Sequence, residues 1–140
     1  MYELSFPVEV VGGVPVVAAP EEIDIVNAAG LRAALLEAAQ YGNGAVVVDM
    51  SRTQFCDSSG LNVLVLAHRR AESAHGELRL VVGGPAVLRM FAITGVDRVI
   101  SSFSSLEDAL AQTPAATIDR PQARLSGEFR IGTPADATAL

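Results

Sequence analysis

Residues 45–82, AVVVDMSRTQFCDSSGLNVLVLAHRRAESAHGELRLVV, decide the fold class of this chain. They open with a continuous apolar run, AVVVDM, of the kind that is buried in the middle of a sheet. Residues 59–75 are long enough for a helix of about four turns, and the run ELRLVV that follows predicts another strand. A strand, a helix and a strand in this order predict a right-handed crossover and a mixed α/β fold.

The residues that precede this unit predict a β-hairpin. Residues 2–11 alternate apolar and polar side chains as a half-buried strand does, and Pro7 restricts that strand to a sheet edge. Gly12 and Gly13 then turn the chain into a second apolar run, VPVVAA. The sheet is therefore expected to begin with two antiparallel strands.

Three further helices and a last strand are predicted around the central unit. Asn27 is a good N-cap for the first of these helices, and Pro85 fits the first turn of the second. Ser104 and Glu107 form a capping box for the third, and the residues DRVI just before it predict a brief strand. The side chains expected to face inward are Ala28, Leu31, Leu35, Ala38, Leu88, Phe91, Ala92, Leu106, Ala109 and Leu110.

The composition is that of one soluble domain. The chain has 140 residues, half of them hydrophobic, yet no apolar run approaches the roughly 20 residues that span a bilayer. The amino terminus carries Glu3 and Glu9 within its apolar alternation and has no basic region, so it does not resemble a signal peptide. A cytoplasmic location is expected.

The charged residues and the single cysteine exclude several classes of chemistry. The formal net charge is −6, all ten basic residues are arginine, and the absence of lysine excludes a P-loop lysine and a Schiff base. Without a basic stripe, direct binding of nucleic acid or of an anionic membrane is not expected. Cys56 has no partner for a disulfide within the chain, and its place beside a strand end predicts a small buried hydrophobe.

Two serines follow the central strand in the motif CDSSG, and a catalytic role for them is disfavoured. A nucleophile elbow needs G-x-S-x-G, whereas Asp57 stands two residues before Ser59. His68 is nine residues further on, roughly 13 Å along a helix, so a general base is missing. The two histidines are also too far apart for a shared metal ion, and the diglycine in VVGGPAV lacks the third glycine of a dinucleotide motif.

Two interpretations of CDSSG remain open from the residues alone. The motif could simply start a helix, with Asp57 or Ser58 accepting backbone N–H bonds and Gly60 allowing close packing. However, two hydroxyls and a carboxylate at the carboxyl end of a central strand lie where ligands and partners meet such sheets. A serine in the first helical turn also tolerates phosphorylation, because the helix N-terminus accommodates negative charge.

Four segments of the chain resemble the STAS domain, and in particular the single-domain anti-sigma factor antagonists of bacterial partner-switching systems. They are EIDIVNAAGLRAAL, VVVDMSRTQFCDSSGLNVLVLAHRRA, GELRLVVGGPAVLRMFAITGVDRVI and SLEDAL, and they follow the family's order and spacing over roughly residues 4–111. What the resemblance implies is a STAS fold of the α/β class, with a mixed sheet of four to five strands and helices packed mainly on one side.

The resemblance also implies a regulatory protein that is not an enzyme and needs no cofactor. In the family, a serine protein kinase that is also the anti-sigma factor phosphorylates the second serine of D-S-S-G, here Ser59 with Ser58 as the alternate, and a serine phosphatase reverses this. The unphosphorylated antagonist binds the kinase and frees the sigma factor. The family positions that line the docking surface correspond to Asp24, Asn27, Asp57, Ser58 and Gly60.

An alternative function on the same fold is a non-catalytic scaffold subunit of a transporter or of a stress-signalling complex. The chain departs from the family pattern at Glu21, where a glycine is frequent, and at Cys56, where Ile, Val or Leu is more usual.

The STAS domain is expected to span residues 1–113. Residues 114–140 form a tail rich in Pro, Ala, Thr and Gly, which is expected to be disordered, with LSGEFRI as a marginal edge strand.

Overall fold

A computed structural model of the protein describes residues 6–41 and 44–111. The strands are β1 Val8–Val11, β2 Val14–Ala18, β3 Glu22–Ile23, β4 Ala45–Met50, β5 Phe55–Cys56, β6 Glu77–Val82 and β7 Ser101–Phe103. The helices are α1 Ala28–Ala38, α2 Ser58–Ser73, α3 Pro85–Thr94, α4 Val96–Val99 and α5 Leu106–Ala111. The predicted LSGEFRI strand and the boundary at residue 113 lie outside the described residues.

Five strands form one mixed sheet in the order β1-β2-β4-β6-β7. The strands β1 and β2 are antiparallel, with Val11 paired to Val14 across the turn at Gly12 and Gly13. The pairs β2–β4, β4–β6 and β6–β7 are parallel. The predicted mixed α/β fold, its leading hairpin and the central position of β4 are confirmed.

The main core lies between the sheet and the helices α1, α2 and α3. The inward face predicted for α1, which consists of Ala28, Leu31, Leu35 and Ala38, is buried throughout. In α2 the fully buried side chain is Leu64, and in α3 Val87 and Phe91 are buried. Leu88 and Ala92 were predicted to face inward but are exposed, so the inward face of α3 is rotated toward Val87.

The opposite face of the sheet is covered by the short helix α5. Ala109 packs there with Val16, Val47 and Val81 in a second, smaller core. Arg79 is also on this face and is only 1% exposed. Its guanidinium donates to the carbonyl of Ala109 and to the carboxylate of Glu77, which fixes α5 against β6.

Three further local predictions are wrong. Residues 97–100 do not form a strand, because Gly95 ends α3 in a left-handed conformation with φ 84° and the chain at once begins the helical turn α4. The strand starts after Ile100, which is extended. At α5, Ser105 caps the helix instead of Ser104, since its hydroxyl accepts the backbone N–H of Asp108.

The cap at α1 is the third difference. Asn27 stands at the N-cap position, but its side chain makes no bond to the first turn of α1. Its Oδ1 instead accepts from the backbone N–H of Asp24, and its Nδ2 donates to the carbonyl of Glu22. Asn27 therefore fastens the preceding loop and does not cap the helix that it begins.

Candidate partner-binding and phosphorylation site

The start of α2 is held by Asp57. Its Oδ1 accepts from the backbone N–H groups of Ser59 at 2.9 Å and of Gly60 at 3.2 Å, and its own backbone is extended with φ −89° and ψ −174°. This satisfies two of the N–H groups that a helix start leaves without partners inside the helix. The predicted cap at CDSSG is therefore supplied by Asp57.

Gly60 brings the first turn of α2 against β3 and β5. A Cβ atom at this position would lie 2.5 Å from Cγ2 of Ile23 and 2.9 Å from Sγ of Cys56. Both distances are shorter than van der Waals contact, so a side chain at residue 60 would displace its neighbours. The absence of a side chain here sets how closely the serine turn sits on the two short strands.

The two short strands align the two loops of the site. In the parallel β3–β5 pair, Ile23 is opposite Cys56, and the backbone N–H of Asp57 donates to the carbonyl of Ile23 at 3.0 Å. Asp24 and Asp57 are thus the next residues of two neighbouring strands, which run about 4.8 Å apart. The fold places both carboxylates on one edge of the molecule.

The loop that contains Asp24 is fixed by its own hydrogen bonds. The Asp24 carboxylate accepts a hydrogen bond from the backbone N–H of Val26. The backbone carbonyl of Asp24 accepts from the N–H groups of Asn27 and Ala28. Together with the two bonds of the Asn27 side chain, this gives the loop a defined shape. The structure therefore places the loop of Asp24 and Asn27 beside the turn of Asp57, Ser58 and Gly60.

The two serines differ in exposure. Ser58 is exposed and Ser59 is half-buried, while Gly60 beneath them is buried. Within the described part of the chain, neither serine hydroxyl makes a hydrogen bond, so both oxygens are open to other groups. Residues 24–27 and 57–60 are hereafter called the docking surface, after the role that the family resemblance implies for them.

Sequence patterns did not reveal the apolar part of the docking surface. Ile25 and Val26, in the middle of the Asp24 loop, are 75% and 87% exposed. Phe55, in β5 just before the docking surface, is also half exposed. Consecutive apolar residues such as Ile25 and Val26 predict burial. Their exposure results from the hydrogen bonds of the loop, which turn both side chains outward.

Cys56 is buried beneath the site. Burial, and secondly the charge of Asp57, raise the pKa of its thiol to about 11. At neutral pH the residue is therefore a protonated thiol, which is a poor nucleophile. Its 2% exposure confirms the prediction of a small buried hydrophobe.

His68 is too far from Ser59 to act as its general base. His68 lies nine residues from Ser59 on the same continuous helix, which is about 13 Å of axial rise, and its Nε2 is 3.5 Å from the carboxylate of Glu72. Among the described residues, no cluster of His, Cys, Asp and Glu could hold a metal ion. Over the same residues, no helix has the length and apolar character needed to cross a membrane.

The chain belongs to the STAS domain family, whose profile matches residues 5–109. It is 32% identical over 108 residues to the anti-sigma-F factor antagonist RsfB of Mycobacterium tuberculosis. The aligned region covers 77% of this chain and 88% of RsfB. An anti-sigma factor antagonist from Mycobacterium paratuberculosis has a similar solved structure, with 33% identity, a TM-score of 0.69, and coverage of 76% of this chain and 90% of that one. The phosphorylated form of the Bacillus cell fate determinant SpoIIAA shares the fold, with 23% identity, a TM-score of 0.59, and coverage of 76% and 96%.

Proposed function

We propose that this protein is an anti-sigma factor antagonist whose unphosphorylated form binds an anti-sigma factor with serine kinase activity and so releases a sigma factor. Phosphorylation of Ser59 switches this binding off, and a serine phosphatase restores it. Support comes from the relatives, since RsfB and the M. paratuberculosis protein carry the name of anti-sigma factor antagonist. SpoIIAA, which shares the fold, has a structure in a phosphorylated form.

The observation that carries the proposal is the position of Ser59. Asp57 already caps the helix, so the Ser59 hydroxyl has no structural bond to lose when it is modified. The positive end of the α2 dipole also tolerates the new charge. The fold is therefore expected to survive phosphorylation.

The consequence for a partner follows from charge. A phosphate adds about −1.5 to −2 charges to an edge that already holds Asp24 and Asp57. The loop of Asp24 also carries the exposed Ile25 and Val26. A partner that covers this edge would have to desolvate three negative groups together. Juxtaposed like charges cost several kcal/mol, and about 1.4 kcal/mol is a factor of ten in affinity, so the charge is sufficient for a switch.

The test begins with the cognate kinase and ATP. We expect one phosphate on the peptide that contains FCDSSGLNVL, and none in Ser59→Ala. Labelling that persists in Ser59→Ala but disappears in Ser58→Ala would move the site by one residue. Phosphate found only on other peptides would contradict the proposal.

Binding of the kinase is then measured by titration. Ser59→Asp is expected to keep the circular dichroism spectrum but to weaken binding at least about tenfold, because an acid is tolerated at a helix N-terminus but not in the interface. Ser59→Ala should bind like the wild type. Equal affinity of Ser59→Asp and wild type would contradict the phosphorylation switch and favour the scaffold function.

The apolar part of the docking surface has its own matched test. Ile25→Ser removes an exposed side chain from the docking surface, whereas Ile93→Ser removes one of nearly equal exposure, 77% against 75%, at the far end of α3. We expect Ile25→Ser alone to weaken kinase binding, by about tenfold or more if it is an anchor residue. Equal effects of the two variants would show that the kinase contacts another surface.

A further inference from the structure

A groove opens between the C-terminal halves of α1 and α2, at the end of the sheet where β4 and β6 begin. Its volume is about 300 Å³, and its lining includes Leu35, Ala39, Val46, Ala71, Ala74 and Leu78. Arg70 lies in α2, eleven residues after Ser59 and therefore about 16 Å along the helix, and it lines the groove as well. The groove is thus at the opposite end of the molecule from the docking surface.

The groove exists because small residues stand where larger side chains would fill the space. Gly44 and Gly76 form part of the lining, and a Cβ on Gly76 would collide with the carbonyl of Gly44, so the two chain segments meet backbone to backbone. Around them, Ala39, Ala71 and Ala74 contribute only methyl groups. The volume is at the lower end of the range for small-ligand pockets, about 300 to 1,000 Å³.

The charge at the rim selects the kind of ligand. Arg70 lines both the groove and a smaller neighbouring crevice that also includes Arg32, and no carboxylate lines either one. Within the described residues, neither arginine forms an ion pair. Of the acidic residues beside the lining in sequence, Glu77 pairs with Arg79, Glu72 lies 3.5 Å from Nε2 of His68, and Glu37 accepts a hydrogen bond from the Tyr41 hydroxyl. In a chain of net charge −6, this rim is a place that favours an anion.

We propose that the groove binds a small amphiphile with an unbranched apolar chain and one anionic head group, such as a medium-chain carboxylate. The apolar chain lies along Leu35, Val46 and Leu78, and the head group pairs with Arg70. Arginine presents a fork of N–H donors that matches a carboxylate, which makes it suited to this role. The inference does not depend on the proposed function, because it concerns a different end of the molecule.

The experiment titrates the isotope-labelled full chain with sodium octanoate and follows its amide NMR signals. Saturable shifts are expected at Gly44, Ala71 and Gly76, and neutral octanol should bind about tenfold more weakly, since it cannot form the charged pair. Arg70→Gln should cause a similar loss. Arg69→Gln, which removes the neighbouring exposed arginine outside the groove, should bind octanoate like the wild type.

A second variant fills the groove without touching the core. Ala74 is exposed and lines the groove, so Ala74→Leu is expected to keep the circular dichroism spectrum and to abolish the octanoate shifts. The proposal is overturned if octanoate gives no saturable shifts, if octanol binds equally well, or if Arg70→Gln and Arg69→Gln behave alike. Nuclear Overhauser contacts between residues 112–140 and the groove in the ligand-free protein would also overturn it, because the chain itself would then occupy the site.

Discussion

Asp57 serves the fold and the candidate site through the same carboxylate. It caps α2 through Ser59 and Gly60, and its charge contributes to the raised pKa of Cys56. The motif CDSSG predicted a helix cap from Asp57 or Ser58, because Asp and Ser are both preferred N-cap residues, and the structure assigns it to Asp57. The exposure of Ile25 and Val26 could not be predicted, because it depends on hydrogen bonds within the loop.

Gly60→Ala is predicted to destabilise the protein. The new methyl group would collide with Ile23, which is fully buried and β-branched and so cannot move aside easily. Overpacking costs about 1–3 kcal/mol, which exceeds the gain of about 1 kcal/mol from better helix propensity. The matched control is Gly30→Ala in α1, where the nearest atom is 3.4 Å away on Phe6 and a small gain in stability is expected. Urea denaturation measures both, and equal effects would contradict the close packing of α2 on β3.

The raised pKa of Cys56 predicts that the free energy of unfolding decreases in the alkaline range. Its thiol has a pKa of about 11 in the folded protein against an ordinary value of 9.0, so the folded state holds this proton more strongly than the unfolded chain. The stabilisation is fully present below about pH 9 and is lost as the pH rises toward about 11. The free energy of unfolding of the wild type should therefore fall more steeply over this range than that of Cys56→Ala. Parallel pH profiles for the two proteins would exclude this linkage.

At the scale of elements, the helix α1 and the strand β4 were predicted correctly, whereas the two-residue strands β3 and β5 were not predicted at all. The apolar spacing over α1 and the continuous apolar run of β4 each extend over enough residues to identify the element from its pattern. The two-residue strands β3 and β5 carry no such period, yet they align the two loops of the docking surface. Residues 97–100 resemble a strand in composition, but the left-handed Gly95 is followed by the helical turn Val96–Val99, which includes most of them.

The placement of α5 depends on Arg79. With six residues, α5 is too short to be stable alone, and the guanidinium of Arg79 supplies a 2.8 Å bond to the carbonyl of Ala109. Arg79→Met keeps an unbranched side chain but leaves this carbonyl without its donor, which is expected to cost about 1–3 kcal/mol. Arg98→Met, at an exposed position, should change stability by less than about 0.5 kcal/mol.

Denaturation and amide exchange together check the role of Arg79. In Arg79→Met the amides of α5 should exchange faster, while those of β4, which lie in the middle of the sheet, should lose protection only by the global change in stability. Uniformly faster exchange across α5 and β4 would mean that Arg79 supports the sheet as a whole. A loss no larger than that of Arg98→Met would contradict the anchoring role.

At the scale of the whole molecule, the fold keeps its two candidate sites apart. The docking surface is at the carboxyl edge of the sheet, where ligands and partners commonly meet α/β folds, and the interhelical groove is at the amino edge. The helix α2 reaches both, since it begins with the serines and ends beside the groove. Phosphorylation of Ser59 can therefore add charge at one edge without altering the lining of the other.

The last prediction concerns residues 114–140. Apart from LSGEFRI they lack the apolar periodicity that would bury them against the domain, and the STAS profile ends at residue 109. Deleting them is therefore expected to shift the melting temperature by less than about 4 °C, which corresponds to under about 1 kcal/mol for a domain of this size. A control deletion that begins at residue 106 removes α5 as well and should destabilise the protein clearly, because Val16, Val47 and Val81 would lose their cover. If the shorter deletion lowers the melting temperature as much as the control does, LSGEFRI packs on the domain and the boundary at residue 113 is wrong.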